Sequence, residues 1–229
     1  MEATGASRAR TLVAVAVMVG VILFPIYWMI VTAFLPTSVV LSRTPPLLPP
    51  LGAMSLEAFH TALVRRPFLV WLSNTMLVSV GATALSLVIS TLAGYSLSRY
   101  RSRVQEASGF ILLFSKMLPG SLIVIPFFIM ATRAGMIDNR LSLILANTSV
   151  GVPFATWMMK GFFDAIPREI DAAATIDGCT RLQALWHVVI PIAQPGLTAA
   201  AIYLFIVAWA DFVFARTLIN SPELWTLTT

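Results

Sequence analysis

Long apolar runs alternate with short polar breaks along this chain, and the runs have the length of membrane helices. Five of them reach the roughly 20 residues that carry a helix across about 30 Å of hydrocarbon, at residues 11–34, 70–97, 110–132, 141–163 and 197–219. The pattern predicts an all-α membrane protein, a polytopic helical bundle forming one transmembrane domain over 1–229. The breaks differ in kind. Residues 35–69 contain Pro36, Pro45, Pro46, Pro49, Pro50 and Pro67, which predicts an irregular excursion with one short helix from Ser55 to Leu63. Residues 99–109 and 133–140 read as plain connectors. Pro25, Pro119, Pro126 and Pro153 fall inside the runs and are kink candidates.

The break at 164–196 carries structure of its own. Pro167 suits a first helical position, Glu169 and Asp171 suit the positive end of a helix dipole, and Gly178 suits the residue just past the end. Ile166, Ile170, Ala173, Ala174 and Asp177 then share one side of a helix of about eleven residues. After Gly178, Leu182, Leu185, Trp186 and Val189 repeat at helical spacing until Pro191 is expected to stop the helix. Two short helices set at an angle form a knob beneath the bundle. An amphipathic hairpin lying on the membrane would need a basic polar face. Here Asp164, Glu169, Asp171 and Asp177 outnumber Arg168 and Arg181, and an anionic leaflet repels such a face. A protein partner is the favoured occupant.

Composition supports the bilayer as solvent, with 58% hydrophobic and 11% charged residues and a mean hydropathy of +0.87. The net charge of +5 comes from basic residues scattered in short breaks, with no aromatic-interleaved basic face for nucleic acid. Those charges orient the chain instead. A cytoplasmic N-terminus puts Arg8, Arg10, Arg99, Arg101, Arg103, Lys160, Arg168 and Arg181 inside. Arg43, Arg65, Arg66, Arg133, Arg140 and Arg216 then lie outside, and Lys116 remains near the start of the third run, where it can snorkel. The loop 164–196 is thereby cytoplasmic and the loop 35–69 external. The first run exceeds the 7–15-residue core of a signal peptide and no small-x-small cleavage site follows it. The lone Cys179, together with only His60 and His187, excludes a disulfide framework and a Cys-based zinc cluster. No nucleophile elbow or His-Glu-x-x-His motif is present, so no catalytic or metal residue is assigned.

The segment Ile166-Pro-Arg-Glu-Ile-Asp-Ala-Ala-Ala-Thr-Ile-Asp-Gly178, followed by Ile190-Pro191 and Pro195-Gly196, resembles the signature loop of ABC importer permeases, with its pattern Glu-Ala-Ala, three residues, Gly. Gly161-Phe-Phe-Asp-Ala-Ile-Pro167, Phe24-Pro-Ile-Tyr-Trp28, Met117-Leu-Pro119 and Trp209-Ala-Asp-Phe212 resemble the sugar-importer branch, most closely the second, six-helix permease of maltose-type systems. The resemblance implies a transport subunit without catalysis of its own. A second permease would pair with it as a heterodimer. Two ATP-binding subunits, which hold the ATP and Mg, would dock on the signature loops, and an extracytoplasmic solute-binding protein would deliver sugar. This chain itself is expected to bind no cofactor. By that resemblance Ile166, Pro167, Glu169, Ile170, Asp171, Ala172, Ala173, Asp177, Gly178 and Pro191 form the coupling segment, with Ile170 and Ala173 filling a cleft of the ATPase. Two positions depart from the pattern. Ala172 stands where the family has its glutamate, leaving Asp171 or Glu169 as substitutes, and Cys179 replaces the usual alanine. Such permeases also carry a sixth span, expected beyond residue 229.

Polar residues inside the runs are candidate lining for the transport path: Asn74, Ser115, Asn147, Thr148 and Asp211, with Ser86, Ser90, Ser149 and Thr156 behind them. Asp211 reads either as a path residue or as a hydrated structural acid near the outer end of the fifth run. Trp209, Trp157 and Tyr203 suit sugar stacking or core packing, and Trp28 and Trp71 suit interface anchoring. Import of another polar solute, such as a glycerol phosphate compound, is the alternative cargo. An ion-coupled secondary transporter is the alternative class, disfavoured by the shortage of acids within the runs and the absence of an internal repeat.

Overall fold

The computed structural model describes residues 5–42, 44, 46–48, 52, 54–100, 102–118 and 120–229. Arg43, Pro45, Pro49, Pro50, Arg101 and Pro119, named above, lie outside the described residues. Residues 1–68 and 69–229 form two compact units.

In the first unit α1 (Gly5–Ala33) is a single helix that accommodates Pro25. Its apolar side chains, Leu12, Ile22 and Met29 among them, are exposed along its length, the surface a lipid-facing helix presents. Only near its end do Val31 and then Leu35 become buried. Beyond it come α2 (Thr37–Val40) and α3 (Glu57–His60), which runs on as a π turn over Thr61–Arg65. The expected helix over 55–63 therefore starts and ends two residues later. Ser55 explains the start, since its Oγ accepts the Glu57 amide at 3.1 Å while its own N–H donates to Phe34 O at 2.8 Å.

The second unit holds α4 (Phe68–Arg99), α5 (Arg103–Ser115), α6 (Gly120–Arg133), α7 (Arg140–Asp164), α8 (Arg168–Ile176), α9 (Arg181–Ala184), a π turn at Leu185–Val189, α10 (Ile190–Ile192), α11 (Gln194–Trp209) and α12 (Val213–Leu218). Among the described residues, three helices are long and apolar enough to cross a membrane: Arg10–Ala33, Phe68–Arg99 and Arg140–Asp164. A pair bent by 82°, Arg181–Ile192 and Gln194–Trp209, is a fourth candidate.

Three expectations change here. The run 110–132 is not one continuous helix: α5 ends at Ser115 and α6 begins at Gly120, with Lys116 between them donating its ammonium to Val150 O. The connector 99–109 is mostly helix, because α4 runs to Arg99 and α5 already starts at Arg103. Charged residues such as Arg103 and Glu106 hide that first turn from an apolar count. The run 197–219 is interrupted at 210–212, between α11 and α12, where the Asp211 carboxylate caps the second piece.

α4 packs into the bundle mainly through small and polar residues. On α4 the buried face includes Asn74, Thr75, Ser79, Ala82, Ser86, Ser90 and Gly94 besides Val78 and Tyr95, while Leu77, Val80, Val88 and Leu92 are exposed. Apolar side chains gain little by leaving lipid, so close backbone approach decides the interface. A Cβ on Gly94 would lie 2.8 Å from Met159 Cβ and 3.0 Å from Thr156 O, placing α4 against the α7 backbone. A Cβ on Gly151 would lie 2.5 Å from Leu204 Cδ2, which brings α11 against the same helix. Two apolar clusters bracket the bundle. One gathers Val78, Leu143, Ala146, Phe214 and Leu218. The other gathers Tyr95, Met159, Phe163, Ile166, Leu185 and Val189, and the knob rests on it.

Candidate functional site

The knob is built from strong local signals. Pro167 takes the N-cap rather than the first helical position, so α8 is nine residues long with Glu169 and Asp171 in its first turn. At its far end Gly178 adopts φ +89°, and the Cys179 N–H reaches Ala174 O at 2.9 Å while the Gly178 N–H reaches Thr175 O at 3.1 Å. This is a Schellman stop, which requires the left-handed residue that glycine supplies. Thr180 then opens the next helix with a capping box: Gln183 Oε1 accepts the Thr180 N–H at 2.8 Å while Thr180 Oγ1 faces the Gln183 N–H. Pro191 does not stop that helix. The π turn at 185–189 precedes it, helical backbone continues to Ile192, and the chain bends by 82° into α11.

The expected one-sided stripe divides. Ile166 and Ala174 are buried and the half-buried Ile170 packs against the adjoining core. Ala172, Ala173 and Asp177 are exposed, as are Glu169 and Ile176. On the second helix Leu185 and Val189 are buried, whereas Leu182 and Trp186 are exposed. The knob thus presents a mixed acidic and apolar outer surface.

Asp171 belongs to the inner surface. Its Oδ2 lies 2.9 Å from Arg99 Nε, with side-chain exposures of 18% and 8%, and its Oδ1 accepts the Tyr95 hydroxyl at 2.6 Å. Arg99 also donates to Phe163 O at 3.0 Å and Ile166 O at 3.1 Å. Beside it Arg168 donates to Ser98 O at 2.7 Å. Arg181 donates to Tyr100 Oη at 3.0 Å, with its guanidinium 5.2 Å from that ring. Of the two acids beside Ala172, Asp171 is committed to α4 and Glu169 stays exposed. Sequence reasoning used Arg99 only to orient the chain and missed Tyr95 entirely. A cavity of about 620 Å³ opens between the end of α4, α5, α7 and the start of α8, lined by Leu97, Glu106, Phe110, Trp157, Lys160 and Arg168 among others.

The candidate path residues do not form one group. Asn147 and Asp211 do meet: Asn147 Nδ2 donates to Asp211 Oδ2 at 3.2 Å, and Asp211 Oδ1 accepts the Phe214 N–H at 3.1 Å. Asn74 is 2% exposed and fully engaged, donating to Glu223 O and Trp225 O at 2.9 Å each and accepting from Arg140 Nε at 2.9 Å. The hydroxyls of Ser115 and Thr148 bond to carbonyls of their own helices. Trp209 packs against Phe205, with ring centroids 5.5 Å apart. Among the described residues no three His, Cys, Asp or Glu side chains gather as metal ligands.

Residues 86–229, which include α7, the knob, α11 and α12, match the family described as binding-protein-dependent transport system inner membrane component. The chain belongs to this family. As a permease it is 33% identical to the diacetylchitobiose uptake system permease protein of Streptomyces coelicolor over 93% of this chain and 76% of that protein. It is 35% identical to the maltodextrin transport system permease protein of Bacillus subtilis over 77% of this chain, and spans 63% of that relative's length. Its fold matches the crystal structure of a bacterial ABC transporter involved in the import of the acidic polysaccharide alginate. The TM-score is 0.84 at 25% identity, over 98% of this chain and 79% of that one. It is an ABC importer permease, a multi-pass inner membrane protein, and the knob at 164–191 lies within the matched region.

Proposed function

We propose that this permease moves a sugar or sugar derivative inward across the cytoplasmic membrane, and that residues 164–191 couple it to ATP hydrolysis in a partner. The observation that carries the coupling is the knob itself. It has a Schellman stop at the end of α8 and a capping box at the start of α9, is seated on a buried cluster, and leaves Glu169, Ala172, Ala173 and Ile176 exposed on one outer surface. The sugar class is supported by relatives whose names specify maltodextrin and diacetylchitobiose. Membership of the family supports the further proposal of a second permease as heterodimer partner, two subunits that bind ATP and Mg, and an extracytoplasmic solute-binding protein. The distribution of arginines supports a cytoplasmic N-terminus and, with it, a knob on the ATPase side.

The test is uptake into vesicles carrying the co-expressed subunits, with cargo found by screening sugars against the associated binding protein. ATP-dependent uptake of a sugar is expected. Asp177→Arg, which reverses a charge on the exposed surface, and Gly178→Pro, which removes the Schellman stop, should each abolish uptake while leaving membrane insertion intact. Uptake driven by an ion gradient without ATP would refute the importer reading. Unchanged uptake in both variants would refute the coupling role.

A further inference from the structure

The knob is joined covalently to α7 and α11 alone, yet its side-chain anchors lie on a third helix. Three consecutive residues, the last two of α4 and Tyr100 just past its end, hold three separate points of it. The Ser98 carbonyl accepts from Arg168 at the start of α8, Arg99 pairs with Asp171 one turn later, and the Tyr100 hydroxyl accepts from Arg181 at the start of α9. Tyr95, one turn earlier on α4, donates to the other Asp171 oxygen at 2.6 Å while its ring packs edge-on against Phe163, with centroids 5.7 Å apart. Arg99 also reaches the Phe163 carbonyl in the last turn of α7 and the Ile166 carbonyl in the turn before α8, so a single guanidinium ties α4, α7 and α8 together. Lysine cannot reproduce this, because its point charge lacks the planar fork.

A buried ion pair is weak grounds for stability, since desolvation opposes the Coulomb attraction; its better-attested use is to fix register. Register is what this arrangement controls. With Arg99 and Asp171 paired, α8 holds one orientation about its axis, and Ala172, Ala173 and Ile176 remain outward. From this geometry we infer that Tyr95, Arg99 and Asp171 are positioning residues which lock the coupling knob to α4, so that knob and α4 move as one body through the transport cycle. The inference rests on the reading of 164–191 as the ATPase-coupling segment.

The experiment uses the assembled importer with its partner subunits, in a Cys179→Ser background. Spin labels are placed at two exposed positions, Ile176→Cys on the knob and Val88→Cys on α4. Their separation is measured in the nucleotide-free complex and in the complex trapped with ATP and vanadate. The expected result is one narrow distance, the same in both states. Arg99→Gln and Asp171→Asn should abolish that narrow distance, and the double variant should be no worse than Arg99→Gln alone, as for residues acting as one unit. Solute moved per ATP hydrolysed should fall about tenfold in both, within the roughly 5- to 150-fold span of couplings between sites. If loss of the charge impairs assembly, Tyr95→Phe carries the test, because it removes one hydroxyl and keeps the ring on Phe163; a broadened distance is expected there too. A separation that changes between states in the unmodified complex, or stays narrow in the variants, overturns the inference while leaving the permease reading intact. A complex that never hydrolyses ATP overturns that reading instead.

Discussion

Gly94→Ala and Gly161→Ala make the same chemical change on two helices and should move stability in opposite directions. Both sites are helical, so each variant gains about 0.5–1 kcal/mol from the better helix former. At Gly161, in the last turns of α7, a new Cβ meets nothing within 4 Å and the gain should be realised in full. At Gly94 the same Cβ falls 2.8 Å from Met159 Cβ and 3.0 Å from both Lys160 N and Thr156 O. Two of those atoms are backbone, so α4 and α7 must separate, and overpacking of this kind costs about 1–3 kcal/mol. The propensity gain cancels between the variants, leaving a difference of about 1–3 kcal/mol. At about 2–4 °C per kcal/mol for chains of this length, Gly94→Ala should melt about 2–12 °C below Gly161→Ala. Tryptophan fluorescence of the detergent-solubilised protein during heating reads this directly. Equal melting temperatures would refute the direct contact of α4 with the α7 backbone.

Three further outcomes test other parts of the fold. Thr180→Ala removes the capping box that opens α9 and should cost about 0.5–2 kcal/mol, seen as faster proteolysis within the knob. Asn147→Leu leaves Asp211 Oδ2 without its side-chain donor and should lower stability by about 1–3 kcal/mol, with recovery expected when Asp211→Asn is added; a double variant no better than the single would exclude the pairing. The amides of Ser221 and Asn220 hold the Asp138 carboxyl below the usual carboxylate range. Its contribution is therefore present above the unfolded value of about 3.9 and is lost as pH falls through the lower folded value. Fluorescence of Trp225, which packs on Trp71 in the same region, should change over that acid window and should be insensitive to it in Asp138→Asn.

The five apolar runs predicted membrane helices, and their interruptions were not visible for a definite reason. Hydropathy counts apolar side chains, and neither Lys116 nor Asp211 lowers that count enough to reveal a break, although each sits where a helix ends. Helical periodicity failed for a related reason. Leu77 and Val88 face outward on α4 while Ser79 and Ser86 face inward, so both faces contain residues that a soluble amphipathic rule would misplace. The knob was the most legible element because its signals are local: Gly178 stops α8 through its own backbone conformation, and the acids fall in the first turn. The pairing of Asp171 with Arg99 was illegible, since it joins segments whose proximity only the packing of α4 on α7 creates. Thr180 and Gln183, by contrast, carry a capping signal that the apolar repeat of Leu182, Leu185 and Trp186 overshadowed.

The bend at Ala193 gives the knob a mechanical character that its contacts alone do not convey. Arg181–Ile192 meets Gln194–Trp209 at 82°, nearly a right angle. A displacement directed along the first rod is transverse to the second, so the joint acts as a bell crank, turning a push into a sideways swing. Its stiffness is built in on both arms, since Leu185 and Val189 are fully packed below the elbow and Gly196 is pressed against the Phe162 ring just above it. A load that reaches Arg181–Ile192 along its own axis would arrive at α11 as tilt rather than as compression.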